Sequence, residues 1–149
     1  MKIEDVLVTN KFESEYHKVS LNIIYTSNFL QGLLKKRTDR EKITLQQYNV
    51  LRILRGQQGK PMTINLLKER LLDRMSDVSR IIDRLVHKRL VSRCMSDKDR
   101  RAVDIMITAE GLAILGKLDE EMSIHRILDS HLTDDECRQL NDLLDKLRG

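Results

Sequence analysis

Between Asp73 and Arg101 the chain concentrates side chains suited to holding a polyanion. Ser76, Asp77, Ser79 and Arg80 combine short polar groups with one long donor. A helix that reads base edges in the major groove of DNA needs that mixture near its N-terminus, because a guanidinium bonds two guanine acceptors at once and a hydroxyl suits either kind of edge. Asp77 is the awkward member: near DNA its carboxylate must accept from a cytosine amine or pair with a neighbour. Arg74, Arg84 and Lys88 suit backbone phosphates, where they add affinity without sequence information. Surface ion pairs of Arg80 and Arg84 with Asp77 or Asp83 are the competing use of the same charges. Further on, Asp97-Lys98-Asp99-Arg100-Arg101 offers Arg100 and Arg101 to a minor groove, whose negative potential attracts guanidinium groups. A hairpin tip whose charges only discourage edge pairing is the alternative there. Asp99 is expected to accept from an arginine and hold the tip together.

Other chemistry is poorly provided for. Glu121, His125 and Asp129 recur at i, i+4, i+8 and would share one helix face, but a solvated acidic stripe is the expected reading, with no metal and no cofactor. Cys94 and Cys137 lie far apart without CxxC spacing, next to Arg93 and Arg138 but to nothing else that would activate a thiolate, and are expected to be structural. No Ser/His/Asp set or nucleotide loop presents itself, so an enzyme is not expected. The net charge of +4 hides a strong asymmetry: Lys60 to Arg101 holds 12 Lys and Arg against 6 Asp and Glu, whereas Ala102 to Gly149 holds 5 against 11. A basic block followed by an acidic one fits a chain of which one part meets nucleic acid. The sequence shows neither a charged-then-apolar leader nor an apolar run near twenty residues, so a soluble, reduced, cytoplasmic protein without membrane partners is expected.

The elements that would position these residues follow from periodicity. From Asn10 to Lys36, Phe12, Tyr16, Val19, Ile23, Ser27, Leu30 and Leu34 recur at steps of three and four, widened by Leu21, Ile24 and Leu33. So broad a stripe on so long a helix predicts pairing with a second chain. Thr44 with Gln47 predicts a capping box for a helix over Leu45–Arg55, and Thr63 a cap for one over Ile64–Leu72. A fourth helix is expected over Met75–Lys88, burying Val78, Ile81, Ile82, Leu85 and Val86. The period then changes from helical to alternating in Leu90–Ser96 and Ala102–Thr108, which predicts two strands joined by the charged tip. Thr108 caps a helix over Ala109–Ser130, and Thr133 with Glu136 caps the last one, whose apolar side carries Cys137, Leu140, Leu143, Leu144 and Leu147.

These residues resemble the MarR family of winged-helix regulators. Met75 to Leu85 resembles the family's recognition helix, and Leu90-Val91-Ser92-Arg93 the start of its wing. Asp99-x-Arg101 followed by Ile107-Thr108-x-x-Gly111 is similar to the family's wing signature. The resemblance runs from about Leu45 to Gly111. It implies a mainly α fold with a small β-wing: a single domain, 1–149, with a winged helix-turn-helix lobe at 44–108 between helical dimerisation segments at 10–36 and 109–148. It further implies a homodimer on a pseudo-palindromic stretch of double-stranded DNA, acting as a repressor and released by a small aromatic or anionic effector. Tyr16, His17, Tyr25, Tyr48 and Arg52 are candidate effector contacts, with core packing as their alternative use. Arg89 departs from the pattern, standing where the family has a left-handed glycine, so the recognition helix must end with strain or differently. Lys68 stands where a small alanine is common. A helical protein that kept the shape but binds a protein partner is the competing function.

Overall fold

The computed structural model describes residues 1–9, 11–73, 77–95, 103–121 and 128–149. A short helix, α1 (Ile3–Leu7), ends at Val8 in the left-handed region, with φ of 51°. The long helix α2 spans Glu15–Thr38, starting five residues later than its apolar periodicity predicts. Ser14 decides the start: its hydroxyl accepts from the His17 amide at 3.2 Å, which leaves Phe12 outside the helix and its ring edge-on to His17. A 3₁₀ turn, Asp39–Glu41, follows and closes on Lys42, another left-handed residue at φ 54°.

Helix α3 (Leu45–Arg55) begins with the reciprocal bonds of the Thr44 and Gln47 capping box, at 3.2 and 3.1 Å. Strand β1 (Met62–Thr63) was not legible in the sequence. Pro61 biases the residue before it toward extended backbone, and Met62 then drops its side chain into the core. Thr63 leaves the strand to cap α4 (Ile64–Arg70). Helix α5 covers Val78–His87, strands β2 and β3 cover Val91–Met95 and Val103–Ile107, and α6 spans Ala109–Glu121. The last helix, α7, spans Asp134–Arg148 behind the Thr133 and Glu136 box. The three strands pair antiparallel in the order β1-β3-β2, with Met62 opposite Ile105 and Val91 opposite Ile107.

One core unites these elements. Val50, Leu51 and Leu54 of α3 meet Leu67, Val78, Ile82 and Leu85 of the next two helices, Met62, Val91 and Ile105 of the sheet, and Leu115 and Leu118 of α6. An ion pair at 2.6 Å from Arg55 to Asp119 crosses from α3 to α6. The two ends of the chain contribute less. Helix α2 reaches this core near its C-terminal end, through Leu34, and leaves Val19, Ile24 and Phe29 about half exposed. Leu140, Leu143 and Leu147 of α7 are exposed as well. No helix among the described residues is long and apolar enough to cross a membrane.

Candidate nucleic-acid interface

Helix α5 is strongly two-sided. Val78, Ile82 and Leu85 are buried, and Ser79, Arg80, Asp83, Arg84 and His87 face outward. Its N-terminus is Asp77, whose Oδ1 accepts from the Arg80 amide at 3.1 Å. The carboxylate is thereby occupied in satisfying a backbone donor that the helix leaves unpaired, and it complements the positive end of the helix. An acidic residue directly before the apolar periodicity was the available signal for this cap.

Asp83, the other acid on this face, pairs with Arg93 of β2. Neither Asp77 nor Asp83 therefore takes a guanidinium of the helix, and among the described residues Arg80 and Arg84 form no ion pair. Two adjoining hollows flank them on the side of α3. One, of about 400 Å³, is lined by Thr44, Gln47, Asp83, Arg84, His87 and Lys88. The other, of about 360 Å³, is lined by Gln46, Asp73, Asp77, Arg80 and Ile81 along with Thr44, Gln47 and Arg84. The exposed guanidinium face thus lies beside the first turn of α3, whose dipole also favours negative charge. Lys88 is differently employed from the free phosphate donor expected of it: its ammonium donates to the carbonyl of Lys42 and, at 3.4 Å, to Gln47 Oε1. Arg74, Ser76, Asp99, Arg100 and Arg101 lie outside the described residues, as does His125 of the acidic stripe.

The far end of α5 is held by the motif around Thr108. Arg89 occupies the left-handed position itself, at φ 61°, and the turn closes with Leu90 N–H on the Leu85 carbonyl and Arg89 N–H on the Val86 carbonyl, both at 2.9 Å. The departure from glycine is accordingly carried as strain. Thr108 then ties this end to the start of α6: its hydroxyl donates to the Arg89 carbonyl at 2.7 Å and accepts from the Gly111 amide at 3.1 Å. A Cβ on Gly111 would stand 2.4 Å from the Leu90 carbonyl oxygen, so only glycine permits this approach. Beyond it, β2 and β3 run antiparallel to the exposed pair Met95 and Val103. Within β3, Asp104 is buried and its Oδ1 has no hydrogen-bond partner among the described residues.

The five effector candidates are not gathered into one site. Tyr16 is almost fully exposed and His17 half-buried at the start of α2, and Tyr25 lies midway along that helix. Tyr48 belongs to the core of the lobe, with the Arg52 guanidinium 5.8 Å from its ring centre. None of the five lines either hollow beside α5. The described residues contain no group of three His, Cys, Asp or Glu able to hold a metal. Cys94 and Cys137 form no disulfide.

Comparison with known proteins agrees with this architecture. The sequence profile of the MarR family matches residues 41–102. The structure resembles E. coli MarR in a cysteine-to-serine mutant complexed with operator DNA, with a TM-score of 0.79 and 28% identity over 93% of this chain and 99% of that one. Wild-type E. coli MarR in its apo form gives a TM-score of 0.67 and 30% identity over 84% of this chain and 93% of that one. The S. aureus MepR–DNA complex gives 0.79 at 21% identity, covering 90% of this chain and 96% of that one, a likeness of fold. Among curated proteins no sequence matches.

Proposed function

The chain belongs to the MarR family of winged-helix transcription regulators, and from that premise we propose that it is a homodimeric, sequence-specific DNA-binding repressor of a pseudo-palindromic operator. The observation that carries the reading is the exposed face of α5, where Arg80 and Arg84 form no ion pair among the described residues and stand beside the start of α3. In this reading Ser79 and Arg80, with Ser76, address base edges, and Arg84 with Arg74 addresses phosphates. Asp77 organises that end of the helix through its cap, and Arg100 and Arg101 enter the minor groove from the wing. E. coli MarR has been captured on its operator, which supports DNA as the partner.

The half-exposed apolar residues of α2 and α7 support the dimer, since they offer apolar surface that a second chain can cover. Pairing two lobes raises affinity by making the second half-site contact intramolecular. Two cysteines without a disulfide fit a reducing cytoplasm. Relief by a small aromatic or anionic effector completes the reading, with Tyr48 and Arg52 the candidate contacts that adjoin each other.

The test is binding to the DNA upstream of the chain's own coding region across a series of salt concentrations. Affinity should fall steeply with salt. Arg80→Ala should lose about 1 to 3 kcal/mol of discrimination at one base position, whereas Arg84→Ala should weaken all sequences alike. A shallow salt dependence, or an Arg80→Ala protein with intact affinity and specificity, refutes the reading. Sedimentation of a chain lacking residues 1–38 should show monomers with reduced operator affinity.

A further inference from the structure

We propose that Lys88 is a positioning residue that pins the base-reading helix to the corner where α2 hands over to α3, so that the tilt of α5 follows the geometry of the dimer helices. The proposal rests on the DNA-binding reading above and concerns how the reading face is aimed.

Three observations on the two sides of the tether carry it. Lys88 is the C-cap of α5, so its ammonium reaches out from the last turn of the helix. The carbonyl it meets belongs to Lys42, whose left-handed backbone terminates the 3₁₀ turn after α2. The second acceptor, Gln47 Oε1, belongs to a side chain that is 3% exposed and already holds the Thr44 amide. The corner is itself firmly set: Thr38 and Ile43 are buried, and the Ile43 amide bonds to the Thr38 carbonyl at 3.2 Å. It belongs at once to the end of α2 and to the start of the lobe.

Apolar packing alone cannot aim α5. Val78, Ile82 and Leu85 fix its distance from the core, but hydrophobic contact is non-directional and tolerates rotation about the helix axis and small changes of tilt. A charged donor shared between two fixed acceptors does have direction, and charge-assisted bonds are the stronger kind. Lys88 also lines the 400 Å³ hollow together with Arg84 and His87, so a change of tilt at this point would carry the phosphate-facing side of the helix with it. A displacement of α2 would then move Lys42 and, through the ammonium, the reading face.

A phosphate contact and a positioning contact differ in how binding responds to salt. The probe is a duplex selected from a random-sequence pool by the wild-type protein, set against an unrelated duplex of equal length. For Lys88→Met, which keeps the aliphatic stem, affinity for the selected duplex should fall about tenfold or more while affinity for the unrelated duplex holds. The slope of log affinity against log salt should also hold, whereas Arg84→Met should lower it by about one. Equal weakening on both duplexes with a slope reduced by about one makes Lys88 a phosphate ligand and overturns the proposal, as does unchanged binding to both. Amide exchange in the free protein supplies a readout that needs no DNA. Lys88→Met should speed exchange at Ile43, Thr44 and Gln47 by about threefold or more and leave the α6 amides alone. If the wild type selects no duplex, the DNA reading fails by itself, and this exchange result decides the tether: equal rates in the two proteins would end it.

Discussion

The approach of α6 to the end of the recognition helix makes Gly111→Ala the sharpest test of this packing. An added Cβ would lie 2.4 Å from the Leu90 carbonyl oxygen and 2.8 Å from Ile107 Cγ1. Neither obstacle is the free end of a flexible side chain, so the first turn of α6 must retreat by roughly 1 Å to reach ordinary contact. That retreat strains the Thr108 hydroxyl bond to the Arg89 carbonyl, 2.7 Å long, and the Thr108 amide bond to the Leu90 carbonyl at 3.1 Å. Overpacking costs about 1 to 3 kcal/mol, and two weakened hydrogen bonds add up to about 1 kcal/mol each. Alanine's better helix propensity returns about 1 kcal/mol. The net expectation is a loss of about 2 kcal/mol, within a span of about 0 to 4, or a fall in Tm of roughly 4 to 8 °C at the central value for a chain of this size. Gly116→Ala supplies the control, because a Cβ there meets open space within the protomer and should raise Tm by a few degrees. Both variants should be melted at one fixed protein concentration, since the Tm of any chain that self-associates depends on it. A Gly111→Ala protein as stable as Gly116→Ala would refute the close approach and with it the account of the Thr108-x-x-Gly111 motif.

Further outcomes follow from single groups. Arg89→Gly should relieve the left-handed strain and raise stability by about 1 kcal/mol, while Arg89→Ala, which keeps a Cβ, should not; equal gains in urea unfolding would show that the backbone there is relaxed. Asp104→Val replaces a buried acceptor that has no partner among the described residues by a good strand former, so the urea midpoint should rise by the equivalent of about 1 kcal/mol with the slope unchanged. A lowered midpoint would show that the carboxylate has a stabilising partner after all. Glu136 accepts from the Thr133 amide and hydroxyl at the start of α7, and these bonds hold its carboxyl below the ordinary glutamate value of 4.5. Its contribution is complete above that value and disappears as the pH falls through the lowered one. Amides in the first turn of α7 should therefore lose protection on acidification in the wild type, and Glu136→Gln, which keeps a capping acceptor without the charge, should abolish that dependence.

Much of the lobe was readable from local chemistry, because the interactions that decide it span three or four residues. Thr44 with Gln47, Thr63, Thr108, and Thr133 with Glu136 each sit next to the amide they cap, so a helix start can be read from the pair. The change of period after Leu90 gave the two wing strands for the same reason. The start of α2 lies outside what the stripe encodes, because an apolar stripe records which face is buried and not where a hydroxyl stops the helix; Ser14 outweighs the periodicity of Phe12. Strand β1 consists of only two residues and exists because β3 offers its edge to them, which no window along the chain contains.

The candidate site divides along the same line. Composition and order alone placed Ser79, Arg80 and Arg84 on one helix and made Asp77 an anomaly that required a partner. Which partner each charge takes was decided by the fold. Arg93 is ten residues from Asp83 and Gln47 is forty-one from Lys88, so only strand pairing and helix packing bring those groups together. The tertiary structure thereby assigned Asp83 to the wing and Lys88 to the α2–α3 corner, and left Arg80 and Arg84 exposed. Charge in a sequence tells what a surface is able to attract; the three-dimensional pairing of opposite charges determines which of those charges remain free to do so.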